Sequence, residues 1–232
     1  MSLYVIGDLH LSLGCEKPMD VFGGRWENYV EKLTEGFSTL RSEDTTVLCG
    51  DLSWAMSLAG AEPDFRFIHN LPGRKIILKG NHDYWWGTAA KMQKQLEQMG
   101  FDRITILRNS AYVCEEAVVT GTRGWKRLED DNMTDEDIKI HKREIKRVGL
   151  CLDALRKADP DHKKPHIFMF HYPPNRRDGS VCDFSKLIEE SGIVDICLFG
   201  HLHGRAHRQI FEGERNGVKY FCVSADYLKY KP

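Results

Sequence analysis

Five apolar runs in this chain end alike, each handing over to side chains that ligate metals or carry protons. "YVIGDLH" ends on Asp8 and His10, "TVLCGD" on Asp51, "IILKGNHD" on Asn81 and His82, "IFMFH" on His171, and "CLFGHLH" on His201 and His203. The runs have the length and composition of buried strands. In α/β sheets ligands gather outside the C-terminal strand ends, so the pattern predicts one polar edge assembled from five strands. Gly7, Gly50, Gly80 and Gly200 precede the polar residues in four of the five, permitting a tight exit and close backbone approach.

Any one of these groups alone has an ordinary explanation. A histidine beside an apolar run is usually a hydrogen-bonded structural residue, and an aspartate after glycine usually closes a turn. Gathered at one edge, they crowd carboxylates, an amide and imidazoles into a pocket whose desolvation opposes folding. Divalent cations resolve that conflict. Two aspartates, an asparagine carbonyl and four histidines exceed what one four- to six-coordinate ion uses, so two ions are expected. Mixed imidazole and carboxylate donors suit Mn, Fe, Zn or Co better than Ca.

The rest of the chain reads as a layered α/β protein. Strands are predicted at 3–6, 46–49, 75–79, 104–107, 111–114, 117–120, 166–170, 194–199 and 219–223. Helices are predicted at 25–41, 88–99, 134–158 and 183–190. With 232 residues and 41% apolar content, one domain over 1–232 is expected. A formal charge of -1 gives no global basic field for nucleic acid. The seven cysteines are an odd number without a CxxC pair and read as reduced core residues. The chain opens on a strand-like segment without a basic, apolar leader, so a cytoplasmic protein with no membrane association is expected.

The blocks "GDLH", "GD", "GNHD", "FHYPP" and "GHLH", in that order from Asp8 to His203, resemble the calcineurin-like metallophosphoesterase superfamily. The resemblance implies a four-layer α/β/β/α sandwich with a dinuclear metal site at the strand ends. It implies Asp8, His10, Asp51 and His203 on one metal, and Asp51, Asn81, His171 and His201 on the other, with Asp51 bridging. It further implies attack on phosphorus by a metal-bridging hydroxide, with His82 as general acid toward the leaving group. The implied substrate is a small phosphomonoester or phosphodiester, nucleotide-derived esters among them. A nuclease resembles the superfamily's DNA-repair members but lacks a basic tract here. A non-enzymatic scaffold is disfavoured because every expected ligand is present.

Departures from the family pattern narrow the reading. Superfamily protein phosphatases carry an orienting Asp in the second block, where this chain has Trp54 in "GDLSWAM". Tyr84, Trp85 and Trp86 behind the third block read first as a cover for the sheet end and second as a stacking wall. Residues 123–162 are the least family-like stretch and read as a helical insertion or cap. Within it, Ile138, His141, Ile145, Val148, Leu152 and Leu155 form the expected buried stripe. Arg123, Lys126, Arg127, Arg176 and Arg177 are candidates for contact with substrate phosphate.

Overall fold

β1 (Leu3–Ile6), β2 (Thr45–Leu48), β3 (Arg74–Ile77) and β4 (Ile104–Ile106) lie side by side in that order as a wholly parallel sheet. The computed structural model describes all residues, Met1–Pro232. They divide into two units, Met1–Ile106 with Val223–Pro232, and Leu107–Cys222. In the first unit the register pairs Ile6 with Leu48 and Leu48 with Ile77, which sets these side chains on one face. α1 (Tyr29–Phe37), α2 (Glu62–Asn70) and α3 (Ala89–Gln98) repeat apolar residues at three- or four-residue spacing. Leu33 and Phe37, Phe65 and Ile68, and Met92 and Leu96 join that face in a single buried cluster. Each such side chain contributes roughly 1.5–3 kcal/mol of burial.

The segment after Cys222 returns to this first unit. Gly7 N–H donates to the Val223 carbonyl at 2.7 Å, and Ala225 N–H donates to Gly7 at 3.0 Å. Gly36 in α1 is glycine for a packing reason, since a Cβ there would lie 1.9 Å from the Tyr230 carbonyl oxygen.

The second unit holds β5 (Ala111–Val113), β6 (Val118–Thr122), β7 (His166–Phe170), β8 (Ile196–Phe199), β9 (Gly213–Arg215) and β10 (Val218–Cys222). The spatial order is β5-β6-β7-β8-β10-β9, parallel in the middle with an antiparallel strand at each edge. α4 (Asp135–Ala158) and α5 (Asp183–Glu190) belong to this unit. α4 starts at a capping box in which Thr134 and Asp137 satisfy each other's backbone N–H, and it ends on basic residues that suit the helix dipole. No helix is long and apolar enough to cross a membrane.

Two sheets with helices give the mixed α/β composition that the sequence predicts. Among the α-helices and strands, two escaped that reading. α2 is short and polar with Pro63 in its first turn, and β9 is a three-residue edge strand without an apolar residue. α1 is also shorter than the 25–41 expectation: Asn28, at φ 52°, breaks the helical path just before Tyr29. The buried stripe of α4 is wider than expected. His141, Val148, Leu152 and Leu155 are buried as expected, but Asp137, Glu144 and Cys151 join them, while Ile138 and Ile145 are half-buried. Thr122 donates to Glu144, and Arg147 pairs with it, so a polar network pulls Glu144 inward.

Candidate metal centre

In the first unit the exits from β1 and β2 are laced together by backbone hydrogen bonds. Asp8 N–H donates to Gly50 at 2.8 Å, His10 to Asp51 at 2.9 Å, and Leu11 to Leu52 at 2.9 Å. This lacing carries Asp8, His10 and Asp51 to one edge, where all three are buried. A ligand atom of Asp8 and one of His10 lie within 4.8 Å of each other. His10 Nε2 stands 3.8 Å from Asp51 Oδ2.

Asp8, His10 and Asp51 have φ of 59°, 46° and 52°, the left-handed region that non-glycine residues avoid. Such conformations cost on the order of 1–3 kcal/mol each and persist only where the surroundings enforce them. The third exit shows the same tightness. A Cβ on Gly80 would lie 2.1 Å from Asp51 Oδ1, so only glycine lets the third loop pass. Beyond it, His82 N–H donates to Asp51 Oδ1 at 2.7 Å, which sets Asn81 and His82 beside the Asp51 carboxylate.

Two acidic residues brace these loops. Asp83, fully buried, accepts N–H from Asp51 at 2.9 Å, Leu52 at 2.8 Å and Gly80 at 2.7 Å, and the indole N–H of Trp85 at 3.1 Å. Asp64, on α2, accepts Leu13 N–H at 2.7 Å and the Ser53 hydroxyl. Burial pushes the Asp64 carboxyl above its usual range, while those two donors pull it back.

Trp54, the residue by which the second block departs from the protein-phosphatase pattern, is buried in the first unit. Its ring stacks on His10, with centroids 5.0 Å apart, and leans on His82 at 4.3 Å. The indole N–H reaches Met19 Sδ at 3.1 Å, and Lys17 Nζ sits 3.4 Å from the ring centroid. Of the aromatics behind the third block, Trp85 belongs to the core and packs edge-on against Phe65. Tyr84 is exposed beside His82, with ring centroids 6.1 Å apart.

In the second unit His171 follows β7, and His201 and His203 follow β8. His171 and His201 present ring nitrogens within 4.8 Å of each other. His201 again has left-handed backbone, at φ 72°. Tyr172 packs on the His201 ring at 4.3 Å, and Trp125 on Tyr172 at 5.3 Å. Four of the five basic residues singled out in the sequence are engaged within this unit. Arg123 lies over the Trp125 ring and near Glu144, Lys126 pairs with Asp137, Arg127 with Asp130, and Arg176 with Glu129. Arg177 makes neither a hydrogen bond nor an ion pair.

Buried carboxylates and imidazoles in strained loops, without a thiolate among them, fit divalent transition metals with mixed N and O donors. This is the chemistry of a metal-dependent hydrolase. The chain belongs to the calcineurin-like phosphoesterase family, whose sequence model matches residues 1–205, and it is a metal-dependent phosphohydrolase.

Solved structures share the fold at low identity. Phosphopantetheinyl hydrolase from Mycobacterium tuberculosis matches with TM-score 0.59 and 14% identity, over 99% of this chain and 92% of that one. A protein from Thermus thermophilus matches with TM-score 0.52 and 14% identity, over 87% of this chain and 81% of that one. No match is found among curated proteins.

The bracing roles of Asp83 and Asp64 are what sequence reasoning missed. Asp83 is visible in "GNHD", yet most of its donors lie about thirty residues upstream, beyond any local spacing rule.

Proposed function

We propose that the protein hydrolyses small phosphomonoesters or phosphodiesters, nucleotide-derived ones among them, and that residues 1–232 act as one catalytic domain. Asp8, His10, Asp51 and His203 hold one divalent ion; Asp51, Asn81, His171 and His201 hold the second, with Asp51 shared. When bound, the two ions supply the nucleophile and neutralise the non-bridging phosphate oxygens. Mn, Fe and Zn all suit the donor set.

The chain's own residues position and protonate. His82 is tied through its backbone to Asp51, and its ring is backed by Trp54, so it faces the same phosphate without being consumed as a ligand. Its ring N–H passes a proton to the departing alkoxide. The observation that carries this reading is the left-handed backbone at Asp8, His10, Asp51 and His201, four non-glycine ligands in loops that the fold over-determines. Nucleic acid is a disfavoured partner, because the net charge is -1 and no basic tract runs along the chain. The seven free cysteines suit a reducing compartment, in keeping with a cytoplasmic location.

Protein grown with added Mn should approach two metals per chain by elemental analysis, and Asp51→Asn should lower occupancy at both positions. The loaded protein should be assayed on phosphomonoesters, cyclic nucleotides, dinucleotides, a phosphopantetheine ester and single-stranded DNA. Full metal content together with full activity in Asp51→Asn would remove the shared-ligand assignment. A rate confined to DNA would replace the small-ester reading with a nuclease.

A further inference from the structure

Beside His201, within the second unit, lies a cavity of about 360 Å³ that the reaction as proposed leaves without a task. Trp125 and Tyr172 form part of its lining, together with Lys126, Arg127 and Arg177. Trp125 is held rigidly: its indole N–H donates to Asp137 Oδ1 at 3.0 Å, and the Arg123 guanidinium lies 4.2 Å from its ring centroid. A preorganised aromatic wall costs little to bind against.

The cations of the lining are not equivalent. Lys126 is neutralised by Asp137 at 3.1 Å. Arg127 is neutralised by Asp130 at 2.7 Å and also donates to the Asn175 carbonyl at 2.9 Å. Arg177 is exposed and makes no hydrogen bond or ion pair; Asp130, already paired with Arg127, acts on it only through space, so its donor fork stays open to a ligand. Asp131, also in the lining, makes the region selective against a ligand whose anion sits away from Arg177.

We propose that this cavity receives the organic half of the substrate and is built for a planar ring bearing a second anionic group, the chemistry of a nucleoside bisphosphate. The ring rests against Trp125 and Tyr172, and the second phosphate meets Arg177. This assignment rests on the phosphoesterase reading of the neighbouring centre, which would hold the first phosphate.

The test is calorimetric binding to the Mn-loaded protein, with adenosine, adenosine 5′-monophosphate and adenosine 3′,5′-bisphosphate as probes, paired with initial rates on p-nitrophenyl phosphate. The bisphosphate should bind roughly tenfold tighter than the monophosphate, which a charge-assisted Arg contact supplies. Arg177→Ala should collapse that ratio to about twofold or less, as expected on removing the contact. Arg176→Ala, a change at an exposed arginine outside the cavity lining, should leave it intact. Trp125→Ala should weaken all three probes, adenosine included, and Trp125→Phe should restore most of the loss. A bisphosphate-to-monophosphate ratio near one in the wild type, or an equal ratio in Arg177→Ala, overturns the proposal. Arg177-dependent binding without hydrolysis of any ester would uphold the cavity assignment while removing the catalytic reading beside it.

Discussion

Asp51 and Asp83 hold each other's loops. The Asp83 carboxylate accepts the backbone N–H of Asp51 at 2.9 Å, and the Asp51 carboxylate accepts the backbone N–H of His82, the residue before Asp83, at 2.7 Å.

Asp83→Ala should therefore damage the fold before it damages chemistry. Several buried N–H groups lose their acceptor, at roughly 1–3 kcal/mol for each one left unsatisfied. Urea denaturation of metal-free variant and wild type isolates this loss from any change in metal affinity. An unchanged midpoint would mean that water or a shifted loop replaces the carboxylate.

His82→Ala should keep both metals and lose a factor on the order of 10² to 10⁴ on alkyl phosphoesters, the usual range for a proton donor. The loss on p-nitrophenyl esters should be much smaller, because that leaving group departs unprotonated. Both rates and the metal content are to be measured on one preparation. Loss of metal would make His82 a ligand or a support, and equal losses on both esters would make it a phosphate-positioning residue.

Two glycine substitutions should move in opposite directions. Gly149, in the exposed middle of α4, has nothing within 4 Å of an added Cβ, so Gly149→Ala should raise stability by about 0.5–1 kcal/mol. Gly80→Ala drives its methyl into Asp51 Oδ1 and should lower metal content even if the protein still folds. Thermal melts and elemental analysis of the two variants make the comparison.

Acid stability offers a test away from the centre. Asp44, just before β2, accepts from the Arg41 guanidinium and backbone and from Ser2 N–H, and these contacts hold its carboxyl down at about 2. A carboxylate depressed in the folded state stabilises above its unfolded value of 3.8 and loses that contribution as pH falls toward 2. Asp44→Asn should flatten the stability profile between about pH 4 and pH 2, read from urea midpoints. A wild-type slope retained in the variant would assign the acid sensitivity to other carboxylates, Asp137 among them.

Strand positions were legible because buried strands advertise themselves as short apolar runs, and β1 and β7 fall where those runs lie. Polar edges and charged helices do not, which is why β9 and α2 were silent. The polar residues at the strand ends were visible one by one, but their backbone conformation was not. Nothing in "GDLH" states that Asp8 and His10 both turn left-handed, since that follows from lacing to Gly50 and Asp51 in another loop. The basic residues after Thr122 suggested five phosphate contacts; pairing with Glu144, Asp137, Asp130 and Glu129, fixed only by the tertiary fold, commits four of them elsewhere.

The return of residues 223–230 to β1 and α1 bears on how the chain is made. Gly7 waits for Val223 and Ala225, and Gly36 for Tyr230, so the first sheet's unit is finished by residues that leave the ribosome after everything between has been synthesised. The stretch Leu107–Cys222 is continuous and needs no such late arrival. Vectorial synthesis thus favours an order in which the later-made unit closes first and the earlier-made one is sealed last.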